Sequence, residues 1–174
     1  MNNSDSDAWQ VATLGLGGNV GDPQAAMAEA LRRLDARDDC RVTEVSRLYR
    51  TPPWGKTDQA DFYNCCAAVE TRLGPQALLA ACLEIERDMK RVRIERWGPR
   101  TIDIDILTFG SMMLDEDHLT VPHPRMTERA FVLMPLADFA GELVVKGRTV
   151  MDWLAEADGA GIAVANENRA WWRG

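Results

Sequence analysis

The sequence predicts an α+β domain: a mainly antiparallel sheet with helices packed on it and shorter additions at the C-terminal end. Three observations predict this. Two segments, 23–37 and 75–91, repeat apolar residues with the period of a helix. Four segments, 9–16, 41–51, 62–71 and 101–109, are rich in β-forming residues. Their order is β-α-β-β-α-β, the split βαβ arrangement.

Each element has a local reason. WQVATLGL (9–16) reads as the first strand, and GGNVGD as a tight turn after it. Asp22 then supplies an N-cap acceptor, and Pro23 stands at the first helical position, where no N–H is needed. Met27, Ala30, Leu31 and Leu34 follow at i, i+3, i+4 and i+7, which places them on one stripe. RVTEVSRLYRT (41–51) reads as one strand, although Val42, Val45 and Leu48 alternate imperfectly. Two prolines open the polar loop 52–61, and FYNCCAAVET (62–71) is the next strand. In the helix 75–91 the apolar stripe takes Leu79, Cys82 and Leu83, and its next position is Glu86, an acid on the edge of an apolar face. VRIERWGP (92–99) reads as a charged loop, and TIDIDILTF (101–109) is the clearest strand. Short helices are expected near 127–139 and 149–157. Residues 1–8 read as a disordered polar lead, 9–157 as a single domain, and 158–174 as a C-terminal tail whose pattern places nothing.

A chain of 174 residues is long enough to bury one core. Its net charge of −7 argues against general nucleic-acid binding, which needs a basic surface. Cys40, Cys65, Cys66 and Cys82 form no CxxC pair and read as small buried thiols, with no zinc site or disulfide framework. The first residues lack the basic start and apolar core of a signal peptide, and no run reaches membrane-spanning length. The expected setting is the cytoplasm, and the expected form a monomer acting on small molecules, without nucleic acid or membrane.

The chemistry concentrates in one stretch. On a strand, Ile102, Ile104 and Ile106 share one face and Asp103 and Asp105 the other. The two aspartate Cα atoms then stand about 6.5–7 Å apart, close enough to repel unless a cation lies between them. A hard divalent ion such as Mg²⁺, completed by substrate phosphates, fits that need; a solvated strand face is the plainer alternative. The preceding residues 90–100 carry Lys90, Arg91, Arg93, Arg96 and Arg100 against one acid, Glu95. Arginine forks suit phosphate oxygens, so acids for metal and arginines for phosphate together suggest phosphoryl transfer. Simple surface pairing of these arginines with the aspartates is the alternative. GLGGNVGD (15–22) is neither a dinucleotide motif, since Val20 stands where the third glycine belongs, nor a P-loop. His118 and His123 lack a third convergent ligand for zinc.

YRTPPWG, DQADFYN, RWGPRTIDIDIL, LTVPHPRM and ERAFVLMPL occur together and in this order. Over roughly residues 10–145 they resemble the 6-hydroxymethyl-7,8-dihydropterin pyrophosphokinase family of folate biosynthesis. The resemblance implies a ferredoxin-like α/β fold. It implies transfer of diphosphate from ATP to the pterin's hydroxymethyl group, with AMP released and two Mg²⁺ ions used. By the same resemblance Asp103 and Asp105 hold both metals, and Arg91 and Arg100 contact the ATP phosphates. These four are the expected catalytic residues. Arg93 and Arg129 assist, with His123 at the phosphates, and Ile106 and Thr120 line the adenosine pocket. Glu86, grouped with the ATP contacts, matches an acid near the centre of the family's site. Phe62 and Phe131 sandwich the pterin, and Asn64 reads its amide edge. Backbone groups around Thr51, Pro52 and Trp54 complete that recognition, and Trp97 closes over the site. Two other readings stay open on the residues alone: a nucleotidyltransferase or hydrolase using the same acids and arginines, and a non-catalytic binding module.

Overall fold

The protein's computed structural model describes residues 8–53, 58–94 and 102–174, with the backbone alone for 91–94. In chain order the elements are β1 (Gln10–Gly18), α1 (Pro23–Asp35), β2 (Cys40–Val45), β3 (Leu48–Thr51), β4 (Phe62–Thr71), α2 (Pro75–Ile94) and β5 (Asp103–Phe109). There follow a small ribbon of β6 (Leu114–Asp115) and β7 (Thr120–Val121), α3 (Ala130–Ala140), a second ribbon of β8 (Val144–Val145) and β9 (Arg148–Thr149), α4 (Val150–Glu156) and β10 (Ala163–Asn166). The main sheet is antiparallel, in the order β10-β3-β4-β1-β5, with β2 also on β4. No described helix is long and apolar enough to cross a membrane.

The start of α1 is as expected: Asp22 accepts the Ala25 N–H at 3.1 Å, Pro23 takes the first turn, and Met27, Ala30, Leu31 and Leu34 are buried. The expected single strand 41–51 is two. Ser46 exchanges two bonds with Cys66 of β4, one of them through its side chain: its N–H donates to the Cys66 carbonyl and its hydroxyl accepts the Cys66 N–H, both at 2.9 Å. The Arg47 N–H goes instead to the Asp138 carboxylate at 3.0 Å. Ser46 is thus still bonded to β4, but the Arg47 N–H has left the ladder; the pairing with β4 shifts by one residue there and the strand resumes at Leu48.

The helix α2 runs to Ile94, three residues into the expected charged loop, while 95–99 lie outside the described residues. Its buried stripe is also rotated from the expected one. Leu78, Ala81, Cys82, Ile85 and Met89 are buried, Leu79 is half-buried and Leu83 is exposed. Glu86 sits on the half-buried border of that stripe.

The two faces of the sheet are covered differently. Helices α1 and α2 pack on Leu14, Leu16, Cys65, Ala67, Ile102, Ile104 and Ile106. Cys66 and Leu107, on the other face, pack with Val132, Leu133 and Leu136 of α3 and Val150 of α4. Cys65 and Cys66 thus point to opposite faces, and all four cysteines are free and buried. The segment 158–174, which the sequence pattern left unplaced, joins the packing: β10 pairs with β3, Trp171 and Trp172 are buried, and the Trp171 indole donates to the Ser46 carbonyl at 2.9 Å.

One polar cluster fastens α3 to the sheet. Asp138 accepts the Arg47 guanidinium at 3.1 and 3.2 Å and the Tyr49 hydroxyl at 2.8 Å. Burial first, then the hydrogen bond to Asp138 and its charge, pushes the Tyr49 phenol up to about 12.

Candidate active site

Register builds the site. Gly17 of β1 lies opposite Asn64 of β4 and Asp103 of β5; Gly15 lies opposite Cys66 and Asp105. Residues directly opposite in an antiparallel sheet point to the same face. The central strand therefore carries two positions without side chains between Asn64 and the aspartate pair, which leaves a trough across the sheet. The expectation that the glycine stretch is only a turn needs correction. Gly17 and Gly18 continue β1 past its expected end at Leu16, and only Gly21 of this stretch has the positive φ, 71°, of a turn glycine. A G-x-G at the end of a strand is the signal that was available, but its meaning depends on what lies on the neighbouring strands.

A cavity of about 400 Å³ occupies this trough. Thr51, Phe62, Asn64, Asp103, Asp105, His123, Arg129 and Phe131 line it, with Gly15, Gly17 and Leu107 in its floor. Phe62 comes from the start of β4 and Phe131 from the first turn of α3. The Arg129 guanidinium carbon lies 5.6 Å from the Phe131 ring centre. Thr51 is 4 % exposed, yet its hydroxyl has no hydrogen-bond partner among the described residues. An unpaired buried hydroxyl on a cavity wall is a group that calls for a partner.

β5 carries a register shift against β1: Thr13 faces Thr108 and Leu14 faces Ile106, so Leu107 is the extra residue. Its carbonyl takes the His123 N–H at 2.8 Å, which draws the histidine loop to the cavity. His123 Nδ1 accepts the Arg125 N–H at 3.2 Å, so the neutral ring carries its proton on Nε2 and donates from there. Burial pushes the His123 pKa down; Asp105 opposes this, while Arg129, Lys146 and Arg125 add to it.

Asp103 and Asp105 are exposed, and neither makes a hydrogen bond or ion pair to another described residue. No group of three or more His, Cys, Asp or Glu side chains among the described residues forms a metal cage. Two bare carboxylates are the number Mg²⁺ takes when substrate phosphates and water complete its shell. Behind them Glu86 accepts the Ile104 N–H at 2.6 Å, holding the outer edge of β5. Burial pushes the Glu86 carboxyl up, against the lowering effect of that bond, and Asp103 and Asp105 add to the rise while Lys90 opposes it.

The expected site residues divide into three groups. The eight named first above line the cavity. Glu86, Ile106 and Thr120 do not: Glu86 is on α2, Thr120 on β7, and Ile106 of β5 is only 4 % exposed and packed in the core. Any contact from Ile106 to a ligand must therefore use its backbone. Pro52 is exposed at the end of β3 and is not in the lining. Trp54, Trp97 and Arg100 lie outside the described residues, as do the side chains of Arg91 and Arg93. Sequence reasoning missed Gly15, Gly17 and Leu107.

A walled, polar-edged cavity beside a pair of exposed carboxylates, on an antiparallel α/β sheet, has the form of a small-molecule site. Comparison with known proteins names the family. Residues 13–141 match the family model described as 7,8-dihydro-6-hydroxymethylpterin-pyrophosphokinase, and the chain belongs to that family. It is 49 % identical over 151 residues to a 2-amino-4-hydroxy-6-hydroxymethyldihydropteridine pyrophosphokinase of Methylorubrum extorquens, covering 87 % of this chain and 96 % of that one. It is 45 % identical over 148 residues to the enzyme of the same name from Pseudomonas aeruginosa, covering 84 % and 91 %. A solved Plasmodium falciparum HPPK-DHPS triple mutant superposes with a TM-score of 0.69 at 18 % identity, over 86 % of this chain and 43 % of that one. The chain thus spans less than half of that solved protein, and this likeness speaks to the fold.

Proposed function

We propose that the protein transfers a diphosphate group from ATP to the hydroxymethyl group of 6-hydroxymethyl-7,8-dihydropterin, releasing AMP, in folate biosynthesis. The observation that carries the reading is the row Asn64–Gly17–Asp103. It sets a reader for a flat polar ring and a metal-type carboxylate in one trough, in a chain whose relatives bear this enzyme's name. The strand order β5-β1-β4 with β2 and β3 on the far edge supports a ferredoxin-like core. Residues 9–157 are its catalytic domain, with α3, α4 and the 158–174 segment as additions.

The pterin lies between Phe62 and Phe131, its edge met by the Asn64 amide, the Thr51 hydroxyl and backbone groups near Pro52 and Trp54. ATP runs along the outer edge of β5. The Ile104 N–H points outward to Glu86, so the ladder's alternation also turns the Ile106 backbone groups outward, toward an adenosine placed near Thr120. Arg129 and the His123 Nε2–H meet the phosphates from the cavity side; the family resemblance assigns Arg91, Arg93 and Arg100 to the same phosphates and Trp97 to the pterin. Asp103 and Asp105 hold two Mg²⁺ ions. When bound, Mg²⁺ supplies charge neutralisation on the phosphate oxygens.

The hydroxymethyl oxygen forms a bond to the β-phosphorus. The bond from that phosphorus to the α,β-bridging oxygen breaks, the bridging oxygen leaves with AMP, and the hydroxyl proton passes to solvent. Alignment and electrostatics carry the catalysis, because no described side chain stands as a committed base: Glu86 is engaged with the strand edge. Closing the site excludes water, the competing nucleophile.

The test is a product assay with ATP, Mg²⁺ and the hydroxymethyl pterin. AMP and a pterin diphosphate are expected in equal amounts; ADP, or pyrophosphate without a pterin product, refutes the reading. A second expectation concerns Thr51→Val, which deletes an unpaired hydroxyl at little cost in shape. The thermal midpoint should hold or rise, while the pterin KM rises about five- to tenfold for one lost hydrogen bond. An unchanged KM would remove the hydroxyl from the ligand contacts.

A further inference from the structure

We infer that Gly17 is a positioning residue for the pterin: by having no Cβ, it provides the space in which the Asn64 amide sits. The inference rests on the pyrophosphokinase reading above. A Cβ built on Gly17 would stand 2.6 Å from Asn64 Oδ1, a separation that non-bonded carbon and oxygen do not tolerate. Its next neighbours, the Tyr63 carbonyl oxygen at 3.5 Å and the Asn64 Cγ at 3.6 Å, are in ordinary contact range. The conflict is therefore with the terminus of the amide and not with the backbone.

The backbone makes no such demand. Gly17 is not among the residues with positive φ, and it is paired on both sides within the sheet, so alanine can adopt its conformation. Gly15, two residues earlier on the same face, would bring a Cβ only to the Leu107 methyls, at 3.5 Å. The two glycines leave the same kind of opening, but only Gly17 bears on a side chain that reads the ligand.

Among the described residues nothing else holds that side chain. Asn64 makes no hydrogen bond through its side chain to another described residue, so its rotamer is set by the space around it and by the ligand. An added methyl at residue 17 turns the amide away at little cost to the fold. The loss falls on pterin affinity, because a misaligned amide leaves the ring's polar edge unpaired.

The experiment is a double-mutant cycle with Gly17→Ala, Asn64→Ala and the pair, read as KM for pterin, KM for ATP, kcat and thermal midpoint. Gly17→Ala should raise the pterin KM about tenfold, the effect of one lost polar contact, and leave the ATP KM in place. On the Asn64→Ala background the same substitution should add nothing, because the group it displaces is gone. If Gly17→Ala also lowers the thermal midpoint, Asn64→Ala in the same chain should restore it. An unmoved pterin KM overturns the inference. So does an equal penalty with and without Asn64, which would mean that the methyl meets the ligand directly, and so does a midpoint that the second substitution fails to restore. Wild-type turnover is the control: its absence refutes the pyrophosphokinase reading, and the inference with it, whereas turnover with an unmoved KM refutes the inference alone.

Discussion

Asp105→Ala is expected to lower kcat/KM by about a thousandfold or more, equivalent to about 4 kcal/mol of transition-state stabilisation. The fold should survive. Asp105 is exposed, it has no partner among the described residues, and its strand is anchored from the opposite face by Ile104 and Ile106 at 4 % exposure each. Removing one of two neighbouring like charges relieves repulsion, so the thermal midpoint should hold or rise slightly. Steady-state AMP formation together with a melting curve decides the matter. A large fall in midpoint with modest loss of turnover would instead make the pair a structural feature of β5.

Asp138→Ala should have the opposite profile, with stability lost first. The carboxylate takes the Arg47 N–H, both arms of the Arg47 guanidinium and the Tyr49 hydroxyl, and its side chain is only 10 % exposed. Truncation strands the buried Tyr49 phenol and a backbone donor and leaves the partly exposed Arg47 cation unpaired, at a cost of about 3 kcal/mol in all. For a chain of this size that is a fall in thermal midpoint of about 6–12 °C. Asp138→Asn, which keeps one acceptor and the shape, should lose less. Denaturant titration of the three proteins measures the effect, and an unchanged midpoint for Asp138→Ala would refute it. The cluster lies at the break between β2 and β3 and reaches α3, so the same change loosens the helix that brings Phe131 to the cavity.

Much of the scaffold was legible because its signals are local. A cap at Asp22, a proline behind it and an i, i+3, i+4, i+7 stripe are statements about neighbours in sequence, and α1 follows them. The period of two in TIDIDILTF assigned Ile102, Ile104 and Ile106 to the core and Asp103 and Asp105 to the other face, as observed. The errors came where distant segments decide. The strand 41–51 breaks where the Ser46 hydroxyl takes the Cys66 N–H and Asp138 takes the Arg47 N–H, and neither partner is near in sequence. The stripe of α2 was read one position off because Leu79 and Leu83 are as apolar as Leu78. Which leucine turns inward depends on where the sheet lies.

The site shows the same division. Residue types and order were enough to bring out the aspartate pair and the arginine-rich stretch before it, because chemistry is written in side-chain identity; Phe62, Asn64 and Phe131, which line the same cavity, were reached only through the family resemblance. Three features came only from the packed sheet: Gly15 and Gly17 as the floor between Asn64 and the acids, Glu86 as the clasp on the edge of β5, and the unpaired hydroxyl of Thr51. Each depends on what stands across from a residue. In an antiparallel sheet that is set by register, and register is fixed when the whole core closes, not by the strand's own sequence.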